Sequence, residues 1–208
     1  MALLVLATTN RKKVEELIEL LAPLALEIKS LADYPSAAEV IEDGETFAAN
    51  ARKKAVEHAV RLGQWVLAED SGLEADALAG APGVHSARFS GAGATDGANN
   101  RLVLERLGDT PIERRTARYV CCIAVCDPSP RLRAESEGYC RGRILLEERG
   151  TAGFGYDPLF EIVEFHRTFG ELGTRVKAAI SHRARALSLL LPQLARLLDD
   201  EKGRLREG

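Results

Sequence analysis

A short apolar run, Leu3–Ala7, gives way to the polar turn Thr8-Thr9-Asn10 and then to Val14, Leu17, Ile18 and Leu21 at helical spacing. That order commits the start of the chain to a buried strand followed directly by an amphipathic helix. Asn10 suits the N-cap of that helix, and Pro23 lies just past its end. The pattern then recurs. Leu24, Leu26 and Ile28 alternate as a strand would, Thr46 opens a helix that Gly63 stops after Leu62, and Val66-Leu67-Ala68 reads as another buried strand. Thr95–Leu107 is a further helix, ended by Gly108. Strands then crowd together: Arg118–Val125 and Leu132–Gly138 flank the turn Asp127-Pro128-Ser129-Pro130, and Leu159–Val163 follows. A long helix, His182–Leu198, closes the chain with Pro192 inside it as a candidate kink. Helices alternating with strands, then a run of strands, predict an α/β fold with a long mixed central sheet flanked by helices. Pro35–Asp43 and Ala75–Arg88 read as loops, and residues 199–208 as a charged tail behind a single domain of residues 1–198.

The 208 residues, 46% hydrophobic, are enough for a large core in one domain or two intimate lobes. A formal net charge of -3 disfavours a long footprint on a nucleic-acid polymer. Met1–Ala7 is too short for a secretory leader and lacks a basic start, and no run approaches the ~18 apolar residues of a membrane span. Cys121, Cys122 and Cys126 sit in one apolar strand pattern and Cys140 stands apart. With no C-x-x-C pair they read as small core residues in a reducing, cytoplasmic setting.

Four segments carry chemistry. In Gly153-Phe154-Gly155-Tyr156-Asp157-Pro158, glycines flank an aromatic ring and a carboxylate follows, which suits a planar ring with polar edges. Downstream, Lys177, His182 and Arg183 supply donors for base carbonyls or phosphates. The turn Thr8-Thr9-Asn10 and the first helical residues Arg11, Lys12 and Lys13 present backbone N–H groups, a dipole and cations to phosphate. This is not a Walker loop, because GxxxxGK[ST] does not occur. Glu42 precedes the Thr46 helix, which carries Lys54. The pattern Val66-Leu67-Ala68 is expected to end in Glu69, Asp70, Ser71 and Gly72, beyond the carboxyl end of a strand, where α/β sheets bind ligands. Glu42 and Asp70 could supply the one or two carboxylates that Mg2+ prefers alongside water and phosphate oxygens.

Taken in order, Thr8-Thr9-Asn10…Lys13, Glu42-Asp43-Gly44…Thr46-Phe47…Asn50-Ala51…Lys54-Ala55, Asp70-Ser71-Gly72-Leu73…Asp76, Pro82-Gly83…Ser86-Ala87-Arg88, Gly153–Pro158 and Ser181-His182-Arg183 resemble the inosine/xanthosine triphosphate pyrophosphatase family. The resemblance runs from about Leu3 to Leu198. It implies hydrolysis of ITP, dITP and XTP to the monophosphate and pyrophosphate, with Mg2+ as cofactor. It also implies two lobes with the active site in the cleft between them, and a homodimer. By the resemblance Asp70 is catalytic and holds metal with Glu42. Thr8, Thr9, Asn10, Arg11, Lys12, Lys13, Lys54, Ser71, Phe154, Gly155, Tyr156, Asp157, Lys177, His182 and Arg183 line the substrate, and Arg88 is a lobe-bridging or structural residue. The chain departs from the family pattern at Thr9, Glu69, Ala49 and Ala178; the Ala49 change removes a carboxylate, so no metal role falls there. His58, His85 and His166 show no ligand spacing and read as structural. Two other classes stay open: a nucleotide sensor without turnover, and a single-strand RNA binder, which 5% aromatic content and the acidic balance disfavour.

Overall fold

The computed structural model describes the backbone of residues 3–207 and the side chains of residues 3–200. The opening apolar run forms strand β1 (Leu3–Leu6), with Leu4, Val5 and Leu6 fully buried. Helix α1 (Arg11–Leu21) begins where Asn10 caps it, and turns Leu17 and Leu21 inward. Strand β2 (Glu27–Ser30) starts later than the alternation from Leu24 predicted, because Ala22–Leu24 first closes a 3-10 turn around Pro23. Helix α2 (Phe47–Leu62) runs from Thr46, whose hydroxyl accepts the Ala49 N–H at 3.1 Å, to Gly63 in the left-handed region (φ 60°). Then come β3 (Trp65–Ala75), α3 (Asp96–Leu107) between Thr95 and Gly108, β4 (Thr116–Cys126), β5 (Leu132–Ile144), β6 (Phe160–Ile162), β7 (Arg167–Thr168), α4 (Phe169–Ile180) and α5 (His182–Glu207).

Among the described residues the strands form one seven-stranded sheet in the order β2-β1-β3-β4-β5-β6-β7. β1 is parallel to both β2 and β3, whereas β5 with β6 and β6 with β7 are antiparallel. Parallel neighbours need a crossover, which α1 and α2 supply, and antiparallel neighbours need only short turns. That is why helices alternate with strands early in the chain and strands follow one another later. The expected mixed α/β sheet therefore forms.

Other elements also differ from the sequence reading. β7 and α4 were not foreseen. α5 passes through Pro192 and stays helical to Glu207, so the expected tail is helical that far, while Gly208 lies outside the described residues. No described helix is long and apolar enough to cross a membrane. All four cysteines are buried and none is in a disulfide.

The chain divides into two compact units: Met1–Asp70 with Cys122–Gly138 and Arg185–Gly208, and Ser71–Cys121 with Tyr139–Ala184. In the first, the buried residues of β1, α1 and α2 are joined by Ile123–Cys126 of β4 and by Leu187, Leu190 and Leu194 of α5. In the second, Leu73, Val103, Tyr119, Cys140, Ile144, Phe160 and Phe169 belong to one apolar cluster. Tyr119 touches both Phe160 and Phe169 there, at centroid distances of 4.7 and 6.3 Å.

Candidate active site

The first unit carries a cluster of carboxylates and lysines. After β1 the chain makes the polar turn, where the Thr8 hydroxyl accepts the Asn10 N–H at 3.1 Å. The Asn10 side chain accepts the N–H groups of Lys12 and Lys13 at 3.1 and 3.3 Å. Asn10 thus satisfies two of the N–H groups that the sequence offered to phosphate, leaving the side chains of this turn as the main donors. Thr9, Asn10, Arg11 and Lys12 are exposed, Thr8 and Lys13 are partly buried, and Arg11 pairs with Glu15 at 2.9 Å. Lys13 pairs with Glu69 at 3.0 Å, and the Glu69 side chain is only 1% exposed.

Glu69 and Asp70 do not end their strand, contrary to expectation. The parallel pairing of β1 with β3 does end just before them, at Leu6 opposite Leu67, but β3 also borders β4 and continues to Ala75. Ser71 and Gly72 were expected at the strand's end, yet both lie within it and Gly72 is needed for close packing. A Cβ there would lie 2.3 Å from the Ser86 hydroxyl, which donates to the Gly83 carbonyl at 2.6 Å and accepts the Leu73 N–H at 2.9 Å.

Lys54 stands between two carboxylates, 3.1 Å from Glu42 and 3.6 Å from Asp70. The fully buried Asn50 donates to the other Asp70 oxygen at 3.0 Å. Burial holds the Asp70 carboxyl above the ordinary carboxylate value. Lys54 opposes that shift, the Glu42 charge adds to it, and the Asn50 hydrogen bond and Lys13 oppose it. Among the described residues no three His, Cys, Asp or Glu side chains converge on one point. Two hard carboxylates sharing one ammonium fit Mg2+, which takes few protein ligands and completes its shell with water and phosphate oxygens. Sequence reasoning placed Glu69 beside Asp70 but missed Asn50 as a member of this cluster. Asn50 stood in the family pattern, but its partner lies 20 residues away along the chain.

The second unit gathers the aromatic and cationic set. Gly153 and Gly155 adopt positive φ (80° and 63°), which an L side chain rarely does, and they bend the turn around Phe154. Asp157 is 1% exposed, and its carboxylate accepts the Phe154 N–H at 2.8 Å, the Tyr119 hydroxyl at 3.3 Å and the Lys177 ammonium at 2.6 Å. Lys177 also lies 4.0 Å from the Phe154 ring centroid, with the Arg183 guanidinium at 5.9 Å. His182 stacks on Tyr119 at 4.6 Å and 10°. Arg183, 1% exposed, donates to the Ser71 hydroxyl at 3.3 Å. Burial, then the Asp157 charge, pushes the Tyr119 hydroxyl well above its ordinary pKa, so it remains a donor.

Phe154, Lys177, His182 and Arg183 are therefore assembled as one group, with Asp157 beneath it holding the turn and the lysine. Tyr156 is buried and its hydroxyl donates to the Ser86 carbonyl at 2.7 Å, tying the turn to the segment that carries Arg88. Arg88, His85 and His166 are exposed, and His58 is buried in α2. Because the Lys177–Asp157 pair is almost wholly buried, Asp157→Asn removes the carboxylate charge that faces a buried ammonium. It is expected to lower the free energy of unfolding by about 3 kcal/mol or more, read from urea denaturation midpoints.

The description of the Ham1 family fits residues 4–193 of the chain. A dITP/XTP pyrophosphatase of Rhodopirellula baltica is 53% identical over 195 residues, 94% of each chain. A second protein of that name, from Desulforamulus reducens, is 50% identical over 93% of this chain and 96% of its own. Among solved structures, a HAM1 protein from Coxiella burnetii superposes with a TM-score of 0.83 at 38% identity, covering 96% of this chain and all (100%) of its own. A nucleoside-triphosphatase / dITP/XTP pyrophosphatase from Mycobacterium abscessus gives a TM-score of 0.75 at 42% identity, covering 92% and 99%. With a family model fitting residues 4–193, a relative 53% identical over 94% of the chain and a superposition at a TM-score of 0.83, the chain belongs to the Ham1 family.

Proposed function

We propose that this chain hydrolyses dITP, ITP and XTP to the nucleoside monophosphate and pyrophosphate, removing deaminated purine nucleotides from the precursor pool. The observation that carries the reading is the pair Glu42 and Asp70 drawn together on the Lys54 ammonium, at 3.1 and 3.6 Å, in a chain whose relatives are named dITP/XTP pyrophosphatases. In this reading Lys13 and Lys54 bind phosphate oxygens, and Glu42 and Asp70 hold Mg2+. Bound there, Mg2+ would offset phosphate charge and lower the pKa of water. Asp70 orients the attacking water toward the α-phosphorus and accepts its proton. An ordinary Asp, with a pKa of about 3.9, is a weak base, so the lowering of the water's own pKa by the metal would supply most of the activation. As the water oxygen bonds to the α-phosphorus, the bond to the bridging oxygen breaks and pyrophosphate leaves. Phe154 stacks on the base while Arg183, His182 and Lys177 offer donors to its edge. A homodimer and a cytoplasmic location are part of the same proposal, on the family resemblance.

The test is turnover of a panel of nucleoside triphosphates with Mg2+, the products separated by chromatography. The expected result is monophosphate and pyrophosphate in equal amounts, lost on chelation of the metal. Stepwise release of orthophosphate would exclude attack at the α-phosphorus, and tight binding without turnover would make the chain a sensor.

A further inference from the structure

We propose that Asn50 is a positioning residue that sets the geometry of the Glu42–Asp70 pair, an inference that rests on the reading of that pair as the metal site. Asn50 is 0% exposed on α2, where Ala51 and Ala55 are buried beside it. A residue kept there for packing alone would be apolar, since a buried amide is costly unless its hydrogen bonds are made. Those of Asn50 are made, and all run to the same two places. Its oxygen accepts the Gly44 N–H at 2.8 Å, and its amide nitrogen donates to the Gly44 carbonyl at 3.4 Å and to Asp70 at 3.0 Å.

Gly44 lies two residues beyond Glu42, in a stretch with no helix or strand of its own before α2. Nothing regular fixes the position of Glu42, so the two bonds from Asn50 to the Gly44 peptide are an anchor close to it. The approach is tight: a Cβ at Gly44 would fall 2.6 Å from the Asn50 oxygen. At the other end, Asn50 and Lys54 are one turn apart on the same helix face. They take the two oxygens of Asp70 between them, the amide on Oδ2 and the ammonium on Oδ1. One side chain thus ties the segment carrying one carboxylate to the other carboxylate, and fixes which way the second points. Groups that orient metal ligands in this way typically govern metal affinity by 10- to 100-fold, as a general magnitude.

The experiment compares wild type with Asn50→Ala and Gly44→Ala. The second variant pushes on the same anchor from the loop side without removing the amide, and it is the deciding one if Asn50→Ala fails to fold. Two quantities are read: the Mg2+ concentration for half-maximal turnover of dITP, and the Mn2+ dissociation constant by electron paramagnetic resonance with an uncleavable α,β-imido dITP analogue. Both are expected to rise about tenfold or more, while KM for dITP at saturating Mg2+ stays within about threefold. A lower thermal midpoint with both metal constants unchanged makes Asn50 a packing residue and overturns the proposal. Failure of the wild type to turn over dITP with Mg2+ would instead overturn the functional reading, and the Mn2+ measurement tells the two failures apart.

Discussion

Asp70→Asn is expected to lower kcat for dITP by about 10³-fold or more, while nucleotide affinity stays within a few fold. The amide keeps the shape of the side chain and can still accept the hydrogen bond that Asn50 donates at 3.0 Å. It loses the charge that holds metal and the lone pair that takes a proton. Lys54 keeps its partner Glu42 at 3.1 Å, and Lys13 is untouched, so the groups proposed to bind phosphate survive. The fold should not suffer. Burial raises the folded pKa of Asp70 above its ordinary value, so the stability this group contributes is present at low pH and is lost as pH rises through the folded value. At neutral pH the ionised group therefore costs stability that Asn does not. Without metal, the variant should unfold at a temperature no lower than wild type. Loss of turnover with an undiminished thermal midpoint is the pairing that a catalytic carboxylate predicts. Lys13→Ala should differ, weakening binding and turnover together as a phosphate contact present in both ground and transition states would. Near-normal kcat in the Asp70 variant would move the catalytic centre elsewhere, with the buried Glu69 the first suspect.

The difference between what the sequence revealed and what it hid follows from the range of the interactions. Helix ends were legible because a cap is local: Asn10, Thr46 and Thr95 each accept N–H groups within three residues, and Gly63 and Gly108 end α2 and α3. The mixed sheet was legible because crossover helices leave their period in the chain. The length of β3 was not, because the polar run Glu69–Gly72 looks like a strand end, whereas Gly72 lies in the strand packed against Ser86. α4 was hidden by Gly170 and Gly173, the latter at φ 78° and ψ 174°, a non-helical residue within the helical span. In the site, residue identities were readable but their partners were not. Asp157 looked like an acceptor offered to a ligand, yet its oxygens are turned to Phe154, Tyr119 and Lys177. Asn50 lay inside a motif, but its role depends on Gly44 and on an aspartate in another element.

The ratio of kcat/KM for ITP over ATP is expected to fall by about 10- to 150-fold in Arg183→Ala, chiefly through loss on ITP. Hypoxanthine presents an acceptor at position 6, where adenine presents an amino donor. Phe154 would stack on either ring, so the choice between them rests on charged donors. Of these, Lys177 is committed to Asp157 at 2.6 Å, and the His182 ring lies against Tyr119. Arg183 has a planar fork of five N–H donors, one end of which donates to the Ser71 hydroxyl at 3.3 Å while the guanidinium carbon lies 5.9 Å from the Phe154 centroid. It is held in place by burial, so a base amino group facing it meets a donor that does not swing away. Such a mismatch forfeits a charge-assisted hydrogen bond worth roughly 1.5–3 kcal/mol. Arg183→Lys keeps the charge without the fork and should restore only part of the ratio. That partial rescue separates base reading from a general loss of the pocket, which would depress both nucleotides alike. An unchanged ratio in Arg183→Ala would move the reading of the base to His182 or to the backbone of the Gly153–Asp157 turn, and a wild-type ratio near one would overturn base reading altogether.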